Sequence, residues 1–131
     1  MPHTADVIIH VEGTTIEELF KAAVFGLVAV LKPENLILNE KNYEFQKILK
    51  SENQNLLLVD FLSDILTIMH IQKGLVSDII ISNLDENLID YKIFLQKVDF
   101  FERDVKAISY HNVNIKINNS KNFEAEIILD I

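Results

Sequence analysis

The feature of this sequence that most constrains its fold is an almost continuous apolar segment from Leu56 to about Ile71. Its few polar residues recur at helical spacing and form one narrow stripe, which consists of Asp60, Ser63, Asp64 and Thr67. A helix with so narrow a polar face is stable when other elements cover most of its surface. The segment therefore predicts an enclosed helix. A membrane span is not expected, because Asp60 interrupts an apolar run that is already far shorter than the roughly 20 residues a span needs.

The residues before this segment predict one strand and one further helix. Alternating apolar residues from position 7 indicate a strand that ends at Gly13. Thr15 and Glu18 have the spacing of a helical capping box, and apolar residues recur at helical spacing after them until Pro33. We therefore predict a helix that ends before this proline and directs one apolar face at the core.

The remaining segments predict antiparallel strands. A weaker strand, with room for a bulge, covers residues 43–49. Residues 79–82 and 88–95 form a hairpin, and residues 105–117 and 123–131 form another. The order strand, helix, strand, helix and then four strands predicts an α+β fold with two helices packed on antiparallel sheet. No linker interrupts the pattern, so we expect residues 1–131 to form one domain.

The last hairpin also predicts which side chains face the core, because alternate residues of a strand point to opposite faces. Its first strand is expected to direct inward Val105, Ala107, Val113, Ile115 and Ile117, and outward Lys106, Tyr110, Asn112 and Lys116. In the final strand, one face is expected to contain Phe123, Ala125, Ile127, Leu129 and Ile131, and the other Glu124, Glu126, Ile128 and Asp130.

Charge and cysteine content narrow the classes of function. The formal net charge is −8 and Arg103 is the only arginine, which argues against direct high-affinity binding to RNA or DNA. Such acidity fits docking onto a basic protein surface; it also fits ordinary solubility, the simpler explanation. The chain has no cysteine, which excludes disulfides and thiolate metal sites. Because the N-terminus also lacks an apolar signal sequence, we expect a soluble, cytoplasmic protein.

Two acidic residues near opposite ends of the chain form the first candidate site. Asp6 lies in the first predicted strand and Asp130 in the last, and these strands could be neighbours in the sheet. Two carboxylates within about 4 to 6 Å disfavour joint ionisation, which a divalent cation relieves. Oxygen ligands from Asp6, Asp130 and the carbonyl or terminal carboxylate of Ile131 would suit Ca²⁺ or Mg²⁺. The simpler explanation is that aspartates near chain ends are commonly exposed.

Blocks of sequence along the whole chain resemble the archease family and follow the family's order. They are His3-Thr4-Ala5-Asp6-Val7, Thr15-Ile16-Glu17-Glu18-Leu19-Phe20, Leu57-Leu58-Val59-Asp60-Phe61-Leu62, Val105-Lys106-Ala107-Ile108-Ser109-Tyr110-His111 and Ile128-Leu129-Asp130-Ile131. The resemblance implies a fold of strand-helix-strand-strand (SHS2-like) units. It also implies a non-catalytic accessory protein that promotes guanylylation and turnover of a GTP-dependent RNA ligase of the RtcB type, in tRNA splicing and RNA repair.

Carried over to this chain, the family's metal site falls on Asp6, Asp130 and Ile131, and its essential lysine on Lys106. The resemblance makes Ca²⁺ the expected ion, with Mg²⁺ and Mn²⁺ as alternatives. The chain departs from the family at residues 95–97, where a Gly-Glu pair is usual, and in a shortened loop at residues 99–103. We therefore expect its partner-facing loop to differ.

Three further residues are weaker candidates. His3 and His111 could ligate a metal or change charge near neutral pH, although His111 shares the inward alternation and is better explained by a structural hydrogen bond. Asp64, four residues after Asp60, could belong to a site, but a solvated helix stripe is the simpler interpretation.

Two other functions stay open. A metal-free adaptor or chaperone, for example for a tRNA methyltransferase, would need no ion. A metal-assisted hydrolase could use Asp6, Asp130 and His111, but the sequence contains no nucleophile elbow, glycine-rich phosphate loop or zinc-ligand spacing to support an enzyme.

Overall fold

The computed structural model describes residues 6–131 of the chain. In this range the chain forms two helices and seven strands. The elements are β1 (Val7–Gly13), α1 (Ile16–Leu31), β2 (Tyr43–Lys50), α2 (Gln54–Gln72), β3 (Gly74–Leu84), β4 (Leu88–Lys97), β5 (Ala107–Ile108), β6 (Lys116–Ile117) and β7 (Phe123–Asp130).

The strands form two antiparallel sheets that the helices connect. In sheet A, β7 is central, with β1 on one side and the short strands β5 and β6 on the other; in sheet B, β4 lies between β2 and β3. Both helices contact strands of both sheets. The rings of Phe20, Phe61 and Tyr91 follow one another through the core, with centroids 5.4 and 4.9 Å apart. The predicted α+β fold, with two helices packed on antiparallel sheet, is confirmed.

α2 is the enclosed helix that the sequence predicts. The Asn53 side chain caps its first turn by accepting the N–H of Leu56 at 3.0 Å, and Lys73 ends it in the left-handed conformation, with φ 51°. Its buried side chains are Leu57, Leu58, Val59, Phe61, Leu62, Ile65, Leu66 and Met69. By length and composition alone α2 could cross a membrane. In this fold its apolar side chains instead pack into the core that both sheets share.

α1 begins at the predicted cap, although only half of the capping box forms as expected. The Thr15 hydroxyl accepts the N–H of Glu18 at 3.1 Å. The Glu18 carboxylate, however, accepts the N–H of Thr14 at 2.8 Å and the Thr14 hydroxyl, rather than the N–H of the cap residue. These bonds from Thr14 stabilise the charged carboxylate and lower the pKa of Glu18. The turn before the helix is tight, because a Cβ atom added to Gly13 would lie 2.5 Å from the main-chain nitrogen of Leu19.

The prediction of one continuous strand over residues 105–117 is wrong. Only the two-residue strands β5 and β6 pair with β7, and Asn112 between them has a left-handed conformation, with φ 58°. Side chains of α2 bind the intervening loop: the Asn55 amide oxygen accepts the N–H of Ile115 at 2.8 Å, and Asp60 accepts the hydroxyl of Tyr110. These tertiary bonds replace the strand ladder.

The predicted alternation holds for most of this segment: Val105 is buried, Val113 and Ile115 are half-buried against the core, and the expected outward residues Lys106, Tyr110, Asn112 and Lys116 are exposed. It fails at three positions. The expected inward residues Ala107 and Ile117 are exposed, whereas Ile108, of the opposite parity, is buried. The alternation predicted for the final strand is confirmed: Ala125, Ile127 and Leu129 are buried, and the residues between them are not.

Sheet B corrects two smaller expectations. β2 pairs with β4 in continuous register, so it contains no bulge. The irregularities lie instead in β3, between Val76 and Asp78 and between Ile81 and Asn83. β3 also begins at Gly74 rather than at position 79, because its first residues pair with the end of β4. Because residues 105–117 form β5 and β6 rather than one strand, the chain after α2 contains five strands rather than four.

Candidate functional site

The two ends of the described chain lie side by side in sheet A. β1 pairs with β7 so that Val7 is opposite Leu129, and one further step of this register places Asp6 opposite Asp130. On the other side of β7, Ala107 of β5 is the partner of Asp130. Because paired residues of antiparallel strands point to the same face, Asp6, Asp130 and Ala107 occupy one row of the outer face of sheet A.

This row opens into a small surface cavity of about 240 Å³, lined by Asp6, Ala107, Ser109, Ile128 and Asp130. Asp6 is exposed and Asp130 is half-buried. No group of three or more His, Asp or Glu side chains suited to a metal occurs within residues 6–131. A third protein ligand would come from a main-chain oxygen, such as one of Ile131, or from the Ser109 hydroxyl in the cavity lining, with water completing the shell. Two carboxylates and main-chain oxygens are hard donors, which suit Ca²⁺ or Mg²⁺.

Lys106 directly precedes the cavity-lining Ala107 in the sequence but does not itself line the cavity. Its main-chain N–H donates to the carbonyl oxygen of Asp130 at 2.7 Å, which fixes the approach of β5 to β7. Its side chain is exposed, as predicted. Among the residues described, it forms no ion pair with a carboxylate. The ammonium group is thus available to a negative group on another molecule.

The structure does not bring His111 into this site. His3 lies outside the described residues. His111 is exposed in the loop between β5 and β6, and its main-chain N–H donates to the Ser109 hydroxyl at 3.0 Å. The prediction that the His111 side chain points inward is wrong, because the strand on which it rests ends with β5.

Asp64 and Asp60 are engaged in the fold rather than solvated, contrary to the simpler prediction. Asp64 accepts the hydroxyl of Tyr91 at 2.5 Å and the ammonium of Lys47 at 2.7 Å. Burial, together with the bond to Asp64, strongly raises the pKa of Tyr91. Asp60 accepts the hydroxyls of Ser51, at 2.5 Å, and Tyr110. The bond to Asp60 raises the pKa of Tyr110, and burial adds to this. The polar stripe of α2 therefore fastens the helix to β2, β4 and the loop after β5.

The sequence departure at residues 95–97 has a structural explanation. Gln96 is buried, and its amide oxygen accepts the main-chain N–H groups of Asn39 and Glu40, both at 2.8 Å. Its amide nitrogen donates to the carbonyl oxygen of Ile37 at 3.0 Å. Gln96 therefore holds the connection between α1 and β2 in place.

In the shortened loop that follows, the two adjacent phenylalanines have different surroundings. Phe101 is half-buried against His70, with ring centroids 5.4 Å apart, whereas Phe100 is 60% exposed.

Sequence reasoning missed Ser109, which lines the cavity. It shares the face of Ala107, two residues earlier, so an alternation anchored on Ala107 as an outward residue would have found it. The sequence does not show that Ala107 points outward, because an alanine is found on both buried and exposed faces of strands.

The sequence pattern of the Archease protein family matches residues 1–131. The chain belongs to the archease family. A curated archease from Methanosarcina barkeri is 28% identical, and the match covers 100% of this chain and 93% of that protein. An archease from Pyrococcus furiosus is 30% identical, with 98% and 94% covered.

Two solved structures share the archease fold with this chain. One is the solution structure of a Methanobacterium thermoautotrophicum protein, with a TM-score of 0.75, 24% identity, and 100% of this chain and 96% of that chain covered. The other is the crystal structure of an archease from Thermotoga maritima, described as a possible chaperone, with a TM-score of 0.69, 19% identity, and 100% and 94% covered. Both resemblances extend over the whole domain.

Proposed function

We propose that this archease is an accessory protein of a GTP-dependent RNA ligase of the RtcB type, promotes the ligase's guanylylation and turnover, and catalyses no reaction itself. Family membership supports an RNA-processing partner. The observation that carries the finer proposal is the pairing of β1 with β7, which brings Asp6 and Asp130 to one cavity. The main chain of Lys106 is bonded to Asp130 beside this cavity.

Each residue of this site has a role that follows from its chemistry. Asp6, Asp130 and a main-chain oxygen of Ile131 would hold a divalent cation, Ca²⁺ in the first instance. When bound, such an ion supplies a concentrated positive charge to oxygen atoms of a nearby phosphate or carboxylate. The exposed ammonium of Lys106 would donate hydrogen bonds to a phosphate or carboxylate of the partner or its nucleotide. The pairing of β1 and β5 with β7 brings the main chains that carry these groups next to one another, which supports this assignment.

The direct test measures guanylylation of the purified cognate ligase with GTP and metal, with the archease as the only variable. Asp6→Ala and Asp130→Ala are expected to abolish the stimulation and leave the fold intact, because both side chains lie on the outer face of sheet A and neither is buried in the core. Asp90→Ala is the matched control, since Asp90 is a half-buried aspartate on β4 of sheet B. Full stimulation by the Asp6 and Asp130 variants would remove the role proposed for these carboxylates.

A second measurement separates metal-dependent action from a metal-free adaptor. If the site binds Ca²⁺, titration raises the melting temperature, and the stabilisation approaches about 2.7 kcal/mol when the ion is at 100 times its Kd. Asp130→Asn removes one charge with little change in shape and is expected to abolish most of this effect. A melting temperature that does not respond to Ca²⁺, Mg²⁺ or Mn²⁺ would favour the adaptor function, for which a tRNA methyltransferase is the alternative partner.

A further inference from the structure

The outer face of sheet A carries an unusual share of the protein's charge. Its strands present five carboxylates, from Asp6, Glu12, Glu124, Glu126 and Asp130, against the one ammonium of Lys116, whose nitrogen lies 3.7 Å from Glu124. The face therefore accounts for a formal charge of −4, half of the −8 of the whole chain. His10 lies between two of these carboxylates, 3.4 Å from Glu124 and 3.9 Å from Glu126.

An apolar row crosses this acidic face beside the candidate metal cavity. Ile8 is 60% exposed, and its register partner Ile128 is half-buried and lines the cavity with Asp130. The main-chain N–H of Ser109 donates to the carbonyl oxygen of Ile128 at 2.9 Å, so the polar Ser109 lies at the end of this apolar pair. Charged residues lie on both sides of this row, as in interfaces where a desolvated apolar centre is surrounded by a polar rim.

We infer that the outer face of sheet A is the surface on which the RNA ligase docks, with Ile8 and Ile128 at the centre of the interface. The inference rests on the proposed function. Contact through this face would bring the candidate metal cavity to the ligase. A ligase must bind RNA phosphates and therefore has a basic surface around its substrate channel. The acidic sheet face is complementary to such a surface, and its field would steer the encounter. The cavity is continuous with the face through Ile128.

Sheet B supplies matched controls for this inference. Ile48 lies on the outer face of sheet B and is 59% exposed, almost the same as Ile8. Glu44 lies on the same face with a side chain that is 57% exposed, against 66% for Glu126. The pairs Ile8→Ser and Ile48→Ser, and Glu126→Lys and Glu44→Lys, change chemistry and net charge equally but at different places.

The test measures the association rate and the affinity of the full-length variants for the purified ligase by surface plasmon resonance, across a range of ionic strengths. Ile8→Ser is expected to weaken binding at least about tenfold, as truncation near an interface centre does. Glu126→Lys is expected to slow association, with a difference from wild type that shrinks as salt screens the charges. Both sheet B variants should bind like wild type. Ile8→Ser should regain full stimulation of guanylylation at saturating concentration, whereas Asp6→Ala should not.

The outcomes distinguish the docking surface from the function itself. If wild type binds and stimulates the ligase, but the sheet A variants bind no more weakly than their sheet B controls, the docking surface is wrong and the proposed function stands. If wild type neither binds nor stimulates the ligase, both are wrong. If sedimentation shows a wild-type dimer that Ile8→Ser dissociates, the face belongs to a second copy of this chain and not to the ligase.

Discussion

Removal of the Asp64 carboxylate tests whether the α2 stripe is structural. The Tyr91 hydroxyl, on a side chain with no exposed surface, donates to Asp64 at 2.5 Å. Asp64→Ala leaves that hydroxyl buried without a partner, which costs about 1 to 3 kcal/mol. The Lys47 bond adds less than about 1 kcal/mol, because the lysine side chain is 41% exposed and its charge is screened by water. We therefore expect Asp64→Ala to lower the free energy of unfolding by about 1 to 4 kcal/mol.

A double-mutant cycle with Tyr91→Phe measures the coupling free energy between Asp64 and Tyr91. Phenylalanine removes the hydroxyl and keeps the edge-on contact with Phe61, at a centroid distance of 4.9 Å. In the double variant no buried hydroxyl is left unpaired, so its destabilisation should be smaller than the sum of the single effects by about 1 to 2 kcal/mol. Urea denaturation of the four proteins measures each free energy of unfolding.

Two results would refute the argument. Additivity within about 0.5 kcal/mol would mean that Asp64 and Tyr91 do not depend on each other. Lost stimulation of the ligase by folded Asp64→Ala, at saturating concentration, would mean that Asp64 acts in the site and not only in the fold. A stability loss of about 3 kcal/mol, within the expected range, lowers the melting temperature by about 10 °C for a domain of this size, so the assay can be run on folded protein.

Three further predictions concern pH and backbone geometry. Because the pKa of Tyr91 is raised in the folded state, the free energy of unfolding should fall by about 1.4 kcal/mol per pH unit as the pH rises above about 10; alkaline denaturation of Tyr91→Phe should show a slope shallower by this amount. Because the pKa of Glu18 is lowered, its contribution is present above about pH 4.5 and lost as the pH falls below it, and acid denaturation of Glu18→Gln should lack this component. Gly13→Ala should destabilise by at least about 1 kcal/mol in urea denaturation, since its Cβ would meet main-chain atoms of the first turn of α1 at 2.5 Å; stability equal to wild type would show that the turn relaxes freely.

Local sequence patterns correctly predict much of the secondary structure of this fold. The apolar period of α2, the capping residue Thr15 and the alternation of β7 are decided by neighbours within a few residues, so the sequence alone predicts them. The segment from 105 to 117 could not be read this way. Its alternation resembles a strand, but the Asn55 amide and the Asp60 carboxylate on α2 bind the loop, and neither acceptor is adjacent in sequence.

The candidate site also depends partly on features that the sequence shows and partly on the tertiary structure. The chemistry of its residues, two aspartates and a lysine in segments that resemble archease, is a property of the sequence. The register that sets Asp6 opposite Asp130 is a property of the tertiary structure, because it joins residues more than a hundred positions apart, and a shift of one residue would turn every β1 side chain to the other face. The same pairing gathers half of the net charge on one sheet face. Sequence thus determined which groups are present, and the long-range pairing of β1 with β7 decided which of them meet.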